Sequence, residues 1–183
     1  QNQNSLFAIA FGSCDNQKIK NELWPAIDKN HPSVWIWGGD NVYSDTEDMK
    51  FLENNYNFQK QDADYLKFIK DKIILGTWDD HDFGANDGGE NYPFKRESQQ
   101  LLLDFLDTQK NAIERKRDGV YNSKIITVNK NKVKIIVLDT RFFRTGLTKG
   151  VGSKRFQPNK YGEGTMLGEA QWKWLENELN SSD

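Results

Sequence analysis

Chemically capable side chains follow three short apolar runs of this sequence. Cys14 follows the first run, Asp40 and Tyr43 follow the second, and the third leads into Asp79, Asp80, His81 and Asp82. Carboxylates at such close range repel one another and take up protons unless cations neutralise them. The clustering of these residue types therefore predicts a metal site.

Each of these residues also has an ordinary structural explanation. Asp40 could be a turn residue, Asp79 and Asp80 could cap a helix, and Cys14 could be a small buried hydrophobe. Their shared position after successive apolar runs favours the metal site over three separate coincidences.

The ligand types indicate more than one kind of metal. A thiolate and a phenolate suit a ferric or similar transition ion, whereas carboxylates and amide oxygens suit calcium or magnesium. Metals held close together can activate a water and stabilise both the entering and the leaving oxygen of a phosphoryl transfer. His81, next to Asp80, is placed to act as the proton donor.

The elements that must position these residues have an α/β pattern. Short apolar runs predict strands buried on both faces, and helical spacing predicts the segments between them. Ligands of such layered folds gather beyond the carboxyl ends of the strands. The predicted strands are 6–11, 34–37 and 72–78, with a hairpin of 119–128 and 133–138 around a turn at 129–132. The predicted helices are 18–28, one or two within 46–71, 97–106 and 168–179, and residues 142–165 form a long loop.

Composition narrows the class of protein. The 183 residues, with 36% hydrophobic and 13% aromatic residues, predict a single folded domain over 1–183. A net charge of −2 with interspersed signs argues against an obligate nucleic-acid partner.

The sequence has no apolar stretch long enough to span a membrane. The polar, Met-less start would suit a secreted or periplasmic protein after signal cleavage, and the single cysteine excludes an internal disulfide.

Four motifs resemble those of the PhoD-like alkaline phosphatase family, within the calcineurin-like metallophosphatases. They are GSC at 12–14, GDNVY at 39–43, TWDDHD at 77–82 and LDTR at 138–141. The resemblance implies hydrolysis of phosphomonoesters or phosphodiesters. It also implies a four-layer α-β-β-α sandwich with a mixed site of iron, or another transition metal, and calcium.

The resemblance also assigns roles to single residues. It implies that Cys14, Asp40 and Tyr43 bind the transition ion, that Asp40 and Asp80 bridge to other metals, and that Asn86 is a further ligand. Asp79 is a further candidate metal ligand, although Asp79 and Asp82 could instead orient Asp80 and His81. His81 would contact the phosphate and assist the leaving group. Arg141 would clamp a phosphate oxygen, or would be a surface arginine paired with Asp139 or another acid.

The sequence departs from this family in one respect. A further aspartate and histidine motif, expected downstream, does not occur, and His31 and His81 are the only histidines. We therefore expect a C-terminal segment to complete the fold and the site, and weak or no hydrolysis by the chain alone. The alternative is a catalytically silent metal-binding α/β module.

Overall fold

The computed structural model describes residues 7–181, which form a mixed α/β fold. The strands are β1 (Ile9–Gly12), β2 (Val34–Gly38), β3 (Ile73–Thr77), β4 (Asn122–Val128), β5 (Asn131–Val137), β6 (Thr148–Lys149) and β7 (Phe156–Gln157). The helices are α1 (Trp24–Asp28), α2 (Met49–Lys60), α3 (Ala63–Ile69), α4 (Asp80–Phe83), α5 (Lys95–Phe105) and α6 (Gly168–Asn180), with a 3₁₀ turn at Ile113–Arg115.

A three-stranded parallel sheet positions the candidate site residues. Strand β2 lies between β1 and β3 and pairs with both in parallel, so the three strands end at the same edge. On one face of this sheet, Trp35 and Trp37 pack against Trp24 of α1 and Phe68 of α3 in an aromatic core. Burial of these large rings fixes β2 against its helices and holds the strand ends in place.

The opposite face of the sheet packs against the β4–β5 hairpin. Val34 of β2 contacts a second core that contains Ile135 and Val137 of β5. Alternate residues of β5 point away from the sheet, and Lys134 reaches the carbonyl oxygen of Glu178 in α6 at 2.7 Å. Helix α6 therefore lies on the outer side of the hairpin. Within residues 7–181 the second sheet comprises only β4 and β5, so the four-layer sandwich stays a prediction.

Most of the predicted elements are confirmed. Segment 46–71 contains the two helices α2 and α3, which begin where Asp48 and Asp62 accept hydrogen bonds from the backbone N–H groups of the first turn. The predicted hairpin has a two-residue turn at Asn129 and Lys130. The helices predicted at 97–106 and 168–179 correspond to α5 and α6.

The helix predicted at 18–28 is mostly wrong. Helix α1 covers only its last five residues, and Ile19 and Leu23 are exposed. The side chains of Asn16 and Asn21 accept hydrogen bonds from the N–H groups of Lys18 and Leu23, at 3.0 and 2.9 Å. Such local bonds compete with helical ones and favour turns, so a loop replaces the first helical turns.

Two other predictions change in detail. The first strand covers 9–12, Leu6 lies outside the described residues, and Phe11 is 79% exposed rather than buried. In the described part of the chain β1 is an edge strand, with β2 as its only partner. The segment 142–165 is not wholly irregular, since β6 and β7 form a short antiparallel ladder within it. No helix within residues 7–181 combines the length and apolar character needed to cross a membrane.

Candidate metal and catalytic site

The ends of the three parallel strands bring the predicted residues to one edge of the sheet. The N–H of Cys14 donates to the carbonyl of Gly39 at 3.1 Å, and that of Asp15 donates to the carbonyl of Asp40 at 2.9 Å. Gly39 has a φ of +106°, and a Cβ there would lie 2.6 Å from the backbone nitrogen of Asp79. Only glycine permits this close approach between the loops after β2 and β3.

Asp40, Asp80 and His81 form a triad at this edge. Each offers one ligand atom, and these atoms lie within 4.8 Å of one another. Two carboxylates and an imidazole so placed could hold a metal ion. Burial raises the pKa of Asp40, and the neighbouring carboxylates of Asp79 and Asp80 add to that effect.

Asp80 is held in its charged form by its neighbours. Burial acts to raise the pKa of this carboxyl, but the N–H of Asp87 and the guanidinium of Arg141 more than offset that effect, and the pKa is lowered. The N–H of Asp87 donates to Oδ2 of Asp80 at 3.0 Å. Asp80 is therefore available as an anionic ligand at neutral pH.

His81 is oriented from three sides. Its Nδ1 lies 2.9 and 2.7 Å from the two carboxylate oxygens of Asp45. Its ring packs on Tyr43 with a centroid distance of 4.3 Å, and its backbone N–H donates to Asp40 at 3.3 Å. Burial acts to lower the pKa of His81, but Asp45 and the other carboxylates raise it overall. With Nδ1 paired to Asp45, Nε2 is left for a substrate or a metal.

Cys14 and Tyr43 lie beside the triad. The Cys14 thiol is 3.7 Å from Oδ2 of Asp40, and Cys14 is exposed. Burial and the adjacent Cys14 sulfur raise the pKa of Tyr43 to about 12. The Gln17 side chain holds this tyrosine in place through both of its amide atoms, which bond the backbone of Tyr43 at 2.8 and 3.0 Å. The structure thus brings together the thiol, phenol and carboxylate that the family resemblance implies as ligands of one ion.

Asp82 is a buried support for the site rather than a member of it. Its carboxylate is 0% exposed and accepts hydrogen bonds from the N–H groups of Asp79, Asp40 and Asn41 at 2.9, 3.1 and 3.1 Å. The Tyr56 hydroxyl donates a fourth, at 3.2 Å. Burial outweighs these donors and raises the pKa of Asp82 to about 7. Asp82 therefore ties the loop after β2 to the start of α4.

No family model, curated protein or solved structure matches this chain.

Arg141 and Asp79 pair with each other. The Arg141 guanidinium lies 2.5 Å from Oδ1 of Asp79 and 3.5 Å from Oδ1 of Asp80. Asp139 does not take the Arg141 side chain. It is fully buried and accepts instead from Trp78 Nε1 and from the N–H groups of Val120, Arg141 and Phe142, at 2.8 to 3.0 Å. The Arg141 side chain therefore pairs with Asp79, an acid that borders the triad, and its contact with a phosphate stays a prediction.

Asn86 is an exposed residue of the loop after α4. Its neighbour Asp87 contacts Asp80 through the backbone, so this loop borders the triad. The Arg144 side chain donates to the carbonyls of Asp87 and Gly88, the latter at 2.8 Å, and its own carbonyl accepts from Glu90 at 2.9 Å. Arg144 thereby holds residues 87–90, the part of the loop that follows Asn86.

The backbone is strained at several of these residues. Seven non-glycine residues among 7–181 have positive φ, and four belong to this site: Cys14 at 61°, Asp40 at 50°, Asp45 at 44° and Asp87 at 57°. This conformation is uncommon outside glycine, although aspartate tolerates it better than most residues. Strain that collects at one edge of the sheet is typical of functional sites.

Sequence reasoning missed four residues of this site. Asp45 and Gln17 lie in segments with no motif, Asp87 contacts Asp80 through its backbone N–H, and the Arg144 side chain binds backbone carbonyl oxygens. Asn41 directly follows Asp40, and its Oδ1 atom is buried and accepts no hydrogen bond from any described residue. An unsatisfied buried acceptor costs about 1–3 kcal/mol, so a cation or a water is expected to serve it.

Proposed function

We propose that this chain is the metal-binding part of a phosphoester hydrolase resembling the PhoD-like alkaline phosphatases, acting on phosphomonoesters or phosphodiesters. The observation that carries the proposal is the cluster of Asp40, Asp80 and His81, which places two carboxylates for metal binding and an imidazole for proton transfer within 4.8 Å of one another. The order of helices, parallel sheet, β4–β5 hairpin and α6 is compatible with the α-β-β-α sandwich that the resemblance implies.

The residues at this edge fit the implied metals. Cys14, Asp40 and Tyr43 would hold a transition ion, and Asp40, Asp80 and Asn86 would hold calcium. The 3.7 Å contact between the Cys14 thiol and Oδ2 of Asp40 supports this assignment, because it places a thiol and a carboxylate where they could share an ion. When bound, such ions supply an activated water and neutralise charge on the phosphoryl oxygens.

His81 is the residue proposed to move a proton. Asp45 bonds its Nδ1 at 2.7 Å and favours the protonated ring, so Nε2 can carry a proton to the leaving oxygen. Arg141 is proposed to bind a phosphate oxygen through its forked donors. Because Asp79 already occupies that fork, a bound phosphate would have to share it or displace Asp79.

Metal content and hydrolysis of two variants test the proposal. Asp40→Asn removes a shared ligand, so we expect loss of metal and of activity together. His81→Ala should retain the transition ion while turnover of aryl phosphate monoesters and diesters falls by about 10²–10⁴-fold. Both are measured by elemental analysis and steady-state kinetics on the longest natural form of the protein. Equal metal loss in the two variants would contradict this division of roles, and bound metal without hydrolysis in the parent would favour the silent metal-binding module.

A further inference from the structure

A strongly basic segment stands beside the metal triad. Residues 147–161, here called the basic hairpin, contain β6 and β7. They carry Lys149, Lys154, Arg155 and Lys160 and no acidic residue, although the net charge of the whole chain is −2. The basic hairpin is therefore a local positive surface on a slightly acidic protein.

An ion pair joins the basic hairpin to the site. Nη2 of Arg155 lies 2.5 Å from Oδ2 of Asp87, and the backbone N–H of Asp87 donates to the Asp80 carboxylate at 3.0 Å. Arg144, which precedes the hairpin, bonds the carbonyls of the same loop. The Arg155–Asp87 ion pair therefore places the hairpin against the loop that borders the triad, and Arg144 holds the same loop just before the hairpin begins.

The lysines of the basic hairpin are free to attract anions. Lys149, Lys154 and Lys160 are exposed, and none forms an ion pair with any residue among 7–181. Unneutralised cations next to a cleft concentrate anionic ligands there. A substrate with one phosphate would engage only the metal edge, whereas a second phosphate could meet these lysines.

We propose that the basic hairpin binds a second phosphate of the substrate, so that the enzyme prefers phosphodiesters that carry an additional phosphate near the scissile one. This inference rests on the proposed function, which supplies the scissile phosphate at the triad. It narrows the substrate class from phosphoesters in general to polyanionic phosphodiesters.

Two substrates that differ only in the second phosphate test the preference. They are the 4-nitrophenyl ester of thymidine 5′-phosphate and the same ester with a 3′-phosphate. At low salt we expect kcat/KM to be about tenfold higher with the 3′-phosphate, and the advantage to vanish at about 1 M salt, where the screening length is about 3 Å. The triple variant Lys149→Gln, Lys154→Gln, Lys160→Gln should bring the ratio close to one, mainly through KM.

A matched triple variant controls for net charge. Lys29, Lys67 and Lys70 are also exposed and outside ion pairs of the described chain, but they lie at the ends of α1 and α3 that lead into the parallel strands. Their replacement by glutamine should leave the ratio as it is. A ratio near one in the parent, or an equal ratio in parent and hairpin variant, would overturn the proposal.

A binding measurement separates this proposal from the proposed function. Inorganic tripolyphosphate is titrated into each protein in excess EDTA, where metal-dependent hydrolysis is suppressed. The hairpin variant should bind about tenfold more weakly than the parent and the control variant. If the longest natural form of the protein hydrolyses neither substrate, the proposed function fails, while this titration still shows whether the hairpin binds anions. Equal affinities in all three proteins would refute anion binding by the hairpin.

Discussion

Oδ2 of Asp45 lies 2.7 Å from Nδ1 of His81, although the two residues are 36 positions apart in the sequence. The N–H groups of Ser44 and Asp45 also donate to the carbonyl of His81, at 3.1 and 3.2 Å. Side chain and backbone together therefore hold the imidazole in one orientation on Tyr43. Such a carboxylate partner fixes the tautomer of the ring and directs Nε2 outward.

We expect Asp45→Asn to lower kcat by about 10–100-fold, because the amide cannot stabilise a charged imidazole as a carboxylate does. Metal content should change little, since the carboxylates of the triad stay in place. Glu47→Gln, two residues further on and also exposed, is the matched control and should behave like the parent. A loss of kcat in both variants would show a general charge effect instead of a specific role of Asp45.

Asp82→Asn should lower the free energy of unfolding by about 3 kcal/mol, because an amide presents one acceptor oxygen to donors that now share a buried carboxylate. Tyr56→Phe removes only one of those donors and should cost about 1 kcal/mol. Urea unfolding in EDTA measures both values without a contribution from bound metal. Equal stability of the two variants would mean that Asp82 is not the main tie between the loops.

The single cysteine permits a direct test of the predicted transition-ion ligands. Cys14 is exposed, so iodoacetamide should alkylate it in metal-free protein. Ferric or zinc ions should slow that alkylation at least about tenfold, because a coordinated thiolate is not free to react. Calcium alone should not slow it, since calcium prefers oxygen ligands. Mass spectrometry of the labelled peptide gives the rate. Equal protection by calcium would argue for steric shielding.

Asp104 gives a prediction about acid stability. Burial acts to raise its pKa, but Lys110 and Arg115, at 2.5 and 2.8 Å, lower it overall. Its ion pairs should therefore stabilise the fold above the unfolded-state pKa of about 3.9, and that contribution should disappear as the pH falls through the lower folded-state pKa. Because the carboxylate is half exposed, Asp104→Asn should cost less than about 1 kcal/mol near pH 7.

Unfolding of this variant and the parent between acidic and neutral pH measures the difference. Glu176→Gln on α6, exposed and outside the ion pairs of residues 7–181, is the control. A difference that grows as the pH falls would have the wrong sign.

The sequence predicted the parallel strands and most helices because their apolar spacing is regular. The predicted helix was wrong at 18–23, where the side chains of Asn16 and Asn21 accept hydrogen bonds from nearby backbone N–H groups. The spacing of apolar residues carries no information about such bonds. The prediction also failed at Phe11, because edge position depends on which strands pair, and pairing is not a local property.

The residues of the candidate site that directly follow a strand could be predicted from the sequence. Cys14, Asp40, Tyr43, Asp80 and His81 follow strands and meet at one edge, as parallel pairing requires. Asp45 could not be found in this way, because its contact depends on the turn of the chain after Tyr43. The contribution of Arg144 was equally hidden, since it binds carbonyl oxygens, which every residue carries.

The four left-handed residues of the site have a consequence for evolution and engineering. Each non-glycine residue in this conformation costs about 1–2 kcal/mol, which glycine would largely recover. Selection of random variants for heat resistance alone should therefore enrich glycine at positions 14, 40, 45 and 87. Such variants would lose two proposed metal ligands, Cys14 and Asp40, and the carboxylate of Asp45 that orients His81. At this edge of the sheet, thermal tolerance and the proposed metal site would therefore compete for the same positions.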